Sequence, residues 1–152
     1  MTVLRGFPVV PGVAYAPAIR LGRLQVIDGV DALPDVDESQ RPAESAKFTA
    51  AVSAVAARFR ERARRATGAA SEVLAALAGL AEDRAWLAAA EDRIADGTPA
   101  VRATVQAVAQ FIDLFTQAGG LIAERAADLR DIRDRVVAEL SGLPEPGVPQ
   151  PA

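Results

Sequence analysis

The sequence predicts a mainly α protein: an antiparallel bundle of four main helices behind an extended N-terminal arm. Three observations carry that expectation. Between about residues 43 and 141, apolar residues recur in successive segments at three- and four-residue spacing, the period of a helix buried on one side. Hydrophobic residues fill 51% of the 152 positions but aromatics only 5%, so the core is built from Ala, Val, Leu and Ile, and abundant alanine favours closely packed helices. Turn signals punctuate these segments at Thr67-Gly68, Gly97, Gly119-Gly120 and Ser141-Gly142.

Residues 1–27 read as the arm. Val9, Val10 and Val13 are β-branched, while Pro8, Pro11, Gly12 and Pro17 stop a helix. Ala18, Ile19, Leu21 and Val26 suggest a second short strand; two strands alone are marginal in water, so the arm needs a sheet to join. Residues 28–44, acidic and broken by Pro34 and Pro42, read as a linker into the first long helix. From about 43 to 66, Phe48, Val52, Val55 and Phe59 keep helical spacing. A helix from about 70 carries Val73, Leu74, Leu77 and Leu80. A break near Glu82-Asp83 separates it from a segment with Trp86, Leu87, Ala90 and Ile94, closed by Gly97.

Thr98-Pro99 predicts the next start, with a hydroxyl at the N-cap and proline at the first helical position. That helix runs through Val101, Val105, Val108, Ile112 and Phe115, with Phe111 and Leu114 widening its apolar stripe. The last helix places Ile122, Ala126, Leu129, Ile132 or Arg133, Val136 and Leu140 on one side. It also sets Arg130 against Asp134 and Asp131 against Arg135 at the i,i+4 spacing of helix-surface pairs. It stops at Ser141-Gly142, with Pro144 behind it. The expected division is therefore arm 1–27, helical domain 28–142 and a proline-rich linker 143–152.

Charge and composition remove several function classes. Seventeen basic residues against twenty acidic ones leave a net charge of −3, without the cationic excess that displaces counterions from nucleic acid. Such a surface suits a basic protein partner. With no cysteine, disulfide and thiolate chemistry are excluded. The N-terminus shows no charged-then-apolar leader, and no apolar run approaches the roughly 18 residues of a membrane span, so a cytoplasmic protein without membrane contact is expected. The chain has no histidine, so Ser39, Ser45, Ser53, Ser71 and Ser141 have none to activate them. Glu124, Asp128 and Asp131 share a helix side, but each has a nearby arginine, so neither a catalytic residue nor a metal site is expected. Arg58, Arg62 and Arg65 share a face that offers an anion site; the preferred reading is a solvated helix C-terminus, where positive charge is favoured.

Three strings carry a resemblance. Glu124-Arg125-Ala126-Ala127-Asp128-Leu129-Arg130-Asp131-Ile132 looks like the late helical motif of enzyme I of the bacterial sugar phosphotransferase system, the phosphoenolpyruvate–protein phosphotransferase. Gly6-Phe7-Pro8-Val9-Val10-Pro11-Gly12-Val13-Ala14 resembles that family's opening, with Val10 in place of a serine and Ala16 in place of a glycine. Glu44, Phe48 and Ala51 are similar to its E-x-x-x-F-x-x-A pattern.

The resemblance implies that the bundle is the domain that binds HPr, the histidine-containing phosphocarrier, and that the arm belongs to an α/β domain whose remainder lies outside this chain. It places the phosphohistidine, and the barrel that binds phosphoenolpyruvate and magnesium, outside the chain as well. The chain alone is then expected to hold no cofactor, to be inactive and to be monomeric. Carried over by position, the HPr-binding candidates are Leu80, Glu82, Asp83, Trp86, Leu114, Ile122 and Arg125. Each has a plainer reading: Leu80, Leu114 and Ile122 as core, Glu82 and Asp83 as caps, Arg125 as a partner of Asp128. Trp86, alone and beside a helix break, is read as an interface anchor. Gly68, Ala69, Ala70 and Ser71 stand where acidic residues are common in the family, and Leu77 where a histidine is, which implies weaker steering of a basic partner. The alternatives are a freestanding interaction or dimerisation bundle, and a regulator that competes for HPr.

Overall fold

The computed structural model describes residues 29–119 and 121–146; the side chains of Leu121 and Ile122 lie outside that description, as do the arm 1–27 and residues 147–152. Five helices follow two single 3-10 turns (Val30–Ala32 and Glu38–Gln40): α1 Arg41–Arg65, α2 Gly68–Ala81, α3 Arg84–Ala95, α4 Ala100–Ala118 and α5 Leu121–Leu140. The described residues contain no strand. Helices α2 and α3 are the two halves of one broken helix, so the architecture is a four-helix bundle, as the periodicity predicts.

Helix α1 starts earlier than expected, at Arg41, because Pro42 sits in its first turn, where a missing N–H costs nothing. The segment before it is no free linker. Val36 N–H donates to Gly97 O at 2.7 Å, Arg41 donates to Val36 O and Ala95 O, and Arg102 donates to Leu33 O at 2.6 Å. Val30 is buried at the same end. Proline and acid content signal a loop equally well whether it floats or packs, and here its carbonyls find donors across the chain. Gly97, at φ +103°, lets Arg41 pass close, since a Cβ there would meet the guanidinium at 3.0 Å.

The core forms where the stripes meet. Phe48, Val52, Val55 and Phe59 of α1, with Trp86, Leu87, Ala90 and Ile94 of α3, are all buried. On α5 the buried stripe is Ala126, Leu129, Ile132 and Val136, so Ile132 rather than Arg133 enters the core. Helix α4 is rotated from expectation. It buries Ala100, Ala103, Thr104, Ala107, Val108 and Ile112, leaving Val101 and Val105 half-buried. The small side chains allow the close approach of neighbouring helices, which a pattern weighted toward large residues overlooks. The buried Thr104 hydroxyl is satisfied by donating to Ala100 O at 2.8 Å.

Two helix ends are held by tertiary partners. The N-cap of α4 is Pro99, one residue beyond the expected Thr98, and the Glu44 carboxylate of α1 accepts the Ala100 N–H at 2.7 Å. At the α1–α2 turn, Ser71 Oγ donates to Ala63 O at 2.8 Å and satisfies a C-terminal carbonyl of α1. The arginines of α1 are not a merely solvated terminus either. Arg58 pairs with Glu139 at 2.7 Å, Arg60 with Glu82 at 2.6 Å, Arg62 with Glu145 at 2.7 Å, and Arg64 and Arg65 with Glu61. Three of these pairs stitch α1 to other parts of the bundle.

Candidate functional site

Helices α2 and α5 enclose a shallow groove of about 170 Å³, lined by Val73, Ala76, Leu77, Leu80, Arg125 and Asp128. Its apolar floor comes from α2, where i, i+3, i+4 and i+7 spacing puts all four residues on one face. The burial grades along that face: Leu80 is 7% exposed at the deep end, and Val73 is 59% exposed at the mouth. The rim comes from α5. Arg125 and Asp128, three residues apart, are both exposed, and among the described residues neither makes an ion pair or side-chain hydrogen bond. An open apolar strip is thus flanked by a cation and an anion that have no partner among the described residues.

Of the seven residues expected here, two meet at the groove, Leu80 and Arg125. Trp86 does not. Its ring is 1% exposed, packs edge-on to Phe48 at 5.8 Å between centroids, and donates Nε1–H to Leu80 O at 3.0 Å. Burying the indole against the helix break fixes how α2 hands over to α3, so Trp86 is a core staple and not a docking anchor. Glu82 lies beside the break, but its carboxylate is taken up by Arg60. Asp83 is the N-cap of α3, its Oδ1 accepting Ala85 N–H at 2.8 Å, so the capping reading holds for it. Leu114 is 53% exposed on α4 and is not part of the groove lining. The side chain of Ile122 lies outside the described residues. Val73, Ala76, Leu77 and Asp128 were not among the candidates. The signal for them was a stripe on α2 wider than one buried seam, and Asp128 three residues after Arg125.

Among the described residues no group of three or more Asp, Glu, His or Cys side chains is placed to hold a metal ion. No helix among the described residues is long and apolar enough to cross a membrane.

Fold and surface together define a helical module with an open groove between α2 and α5. The chain belongs to the family described as PEP-utilising enzyme, N-terminal, whose model matches residues 5–125. It is 40% identical over 148 residues to a phosphoenolpyruvate-protein phosphotransferase of Streptomyces coelicolor, covering 97% of this chain and 26% of that protein. A protein of the same description from Haloferax volcanii is 42% identical over 65 residues, covering 38% of this chain and 12% of its own length. Among solved structures, the chain is similar to an NMR solution structure of Enzyme I, with a TM-score of 0.64 and 26% identity, over 72% of this chain and 46% of that one. The chain thus spans about a quarter of the length of its Streptomyces relative. The resemblance carried by the three strings is established at the level of the family.

Proposed function

We propose that this bundle is the HPr-docking module of a phosphoenolpyruvate–protein phosphotransferase of the sugar phosphotransferase system, and that the groove between α2 and α5 receives the phosphocarrier. One observation carries the reading: Arg125, a residue of the family-like motif, stands on the rim of an apolar groove whose mouth exposes Val73, with no ion-pair partner among the described residues. Covering Val73 and Leu77 removes apolar surface from water, at about 25 cal/mol per Å² before the costs of association. Arginine at the edge of such a patch is a common anchor, and the Arg125–Asp128 pair of opposite charges sets the orientation of the partner. The chain contains no histidine, so the phosphoryl group exchanged with HPr travels on a residue outside it. The bundle contributes proximity and orientation, which convert a bimolecular transfer into an effectively intramolecular one. A cytoplasmic setting accords with that role.

The test is a titration of isotopically labelled chain with unlabelled HPr, followed by amide shifts. The expected result is saturable shifts at Val73, Leu77, Leu80, Arg125 and Asp128, with at least tenfold weaker binding for Arg125→Ala. Absence of shifts at millimolar HPr, or shifts confined to the α3–α4 side, would overturn the reading. Shifts that depend on the concentration of the chain itself, without HPr, would favour a self-associating bundle instead.

A further inference from the structure

After α5 the chain turns back onto the bundle. Gly142 adopts φ +68°, Gly142 N–H reaches Glu139 O at 3.4 Å, and Leu143 N–H donates to Ala138 O at 2.9 Å, the paired bonds of a Schellman stop. The turn delivers Glu145 between α1 and α5. There Arg62 donates through Nη1 to Oε1 at 2.8 Å and through Nη2 to Oε2 at 2.7 Å, a bidentate pairing, and Arg135 donates to Oε1 as well. Arg135 is held in place by Asp131 at 2.9 Å and lies 4.9 Å from the centroid of the Phe59 ring. The Glu145 and Arg135 side chains are each only 14% exposed, and the next residue, Pro146, is buried.

Exposed ion pairs contribute little. This one differs in being shielded, bidentate and shared between two helices. We propose that Glu145 is a latch, holding residues 143–146 against α1 and α5, and that unlatching frees this segment to pivot at Gly142. The charged groups around the carboxylate are Arg58 and Arg62 from α1, and Arg135 with its partner Asp131 from α5. Burial alone would push the Glu145 carboxyl up. The Arg62 hydrogen bonds and the charges of Arg62, Arg135 and Arg58 outweigh it, so the carboxyl titrates below its ordinary value and the latch stays charged at neutral pH. Arg135 lies ten residues beyond Arg125 on α5, about 15 Å along the helix, so the latch is separate from the docking groove and does not rest on the docking reading.

The test uses the whole 152-residue chain, labelled with nitrogen-15, and the backbone order parameter at residue 145. In the unsubstituted protein that amide is expected to be nearly as rigid as the amides of α5, at about 0.85. It should fall below about 0.6 in both Glu145→Ala and Arg62→Ala. Unchanged helicity and unchanged core amide shifts would show that the bundle itself is intact. A rigid residue 145 in either variant, or a mobile one in the unsubstituted protein, would overturn the latch. Because the readout involves no partner, failure of HPr docking would leave the result unaffected.

Discussion

Trp86→Phe separates structural from docking roles at the helix break. The indole donates Nε1–H to Leu80 O at 3.0 Å, but Asp83 N–H also reaches that carbonyl, at 3.1 Å. Phenylalanine therefore leaves no orphaned acceptor, and the hydrogen-bond loss is the ordinary net value of about 1 kcal/mol rather than a full desolvation penalty. The space left by the missing part of the indole adds about 1 kcal/mol more. Trp86→Ala also removes the edge-on contact with Phe48, itself worth about 0.5–1.5 kcal/mol, and should cost about 3–5 kcal/mol in all. Against a typical domain stability of about 5–15 kcal/mol, the alanine variant is near the limit of folding, so the phenylalanine variant is the informative one. Urea unfolding followed by circular dichroism at equal slope gives the stability, and HPr titration gives the affinity. The expected result is a loss of about 2 kcal/mol with affinity changed less than twofold. A loss under about 0.5 kcal/mol together with tenfold weaker docking would refute this reasoning and return Trp86 to the interface.

Glu44→Ala should cost about 1–2 kcal/mol in the same unfolding assay, because it strips the Ala100 N–H of its acceptor, and Glu44→Gln should recover most of that. Gly119→Ala tests conformation alone: φ +69° with ψ −172° is a backbone region kept essentially for glycine, and among the described residues nothing lies within 4 Å of the added Cβ, so a cost of about 1–3 kcal/mol is expected from strain. Val73→Ser, at a position 59% exposed, should leave stability within about 0.5 kcal/mol while weakening HPr binding severalfold in the shift titration. Because the Glu145 carboxyl is lowered from 4.5 in the folded state, its contribution is complete above about pH 4.5 and disappears as pH falls through its folded value. Urea midpoints measured from pH 7 to pH 3 should therefore fall less steeply in Glu145→Gln.

Periodicity was readable where large residues carried it. The seams Phe48-Val52-Val55-Phe59 and Leu87-Ala90-Ile94 are core as their spacing implies, and Trp86, expected at an interface, is buried with them. It misplaced the α4 seam, because alanine and Thr104 fill the tightest contact and contribute little to a pattern of large residues. Long-range partners were less legible. Nothing local to Thr98-Pro99 indicates that Glu44, 56 residues from Ala100, supplies the cap. Nor does the run of arginines from 58 to 65 show that its acids are Glu82, Glu139 and Glu145. Charge spacing within one helix is local and was read correctly for Asp131 and Arg135, which meet at 2.9 Å. At the groove, Arg125 was legible only through its motif. Val73 and Leu77 are legible only as members of a helical stripe, since a stripe in sequence does not reveal which part of it a neighbouring helix covers.

The break at Glu82-Asp83 explains why part of that stripe stays uncovered. A single unbroken helix through residues 68–95 would carry its apolar face along one straight neighbour. Instead Asp83 caps a new helix, and Trp86 ties α3 back to the last carbonyls of α2. Helix α3 then packs on α4 and α1, while α2 packs chiefly on α1 and only lightly on α5. Leu80, next to the break, is drawn into the core, whereas Val73, two turns earlier, opens to solvent at the mouth of the groove. The groove is thus a product of the break, and Trp86 acts on it only by holding the end of α2. Substitutions at the break should change affinity to the extent that they tilt α2, and substitutions at Val73 or Arg125 should do so with stability changed by no more than about 0.5 kcal/mol.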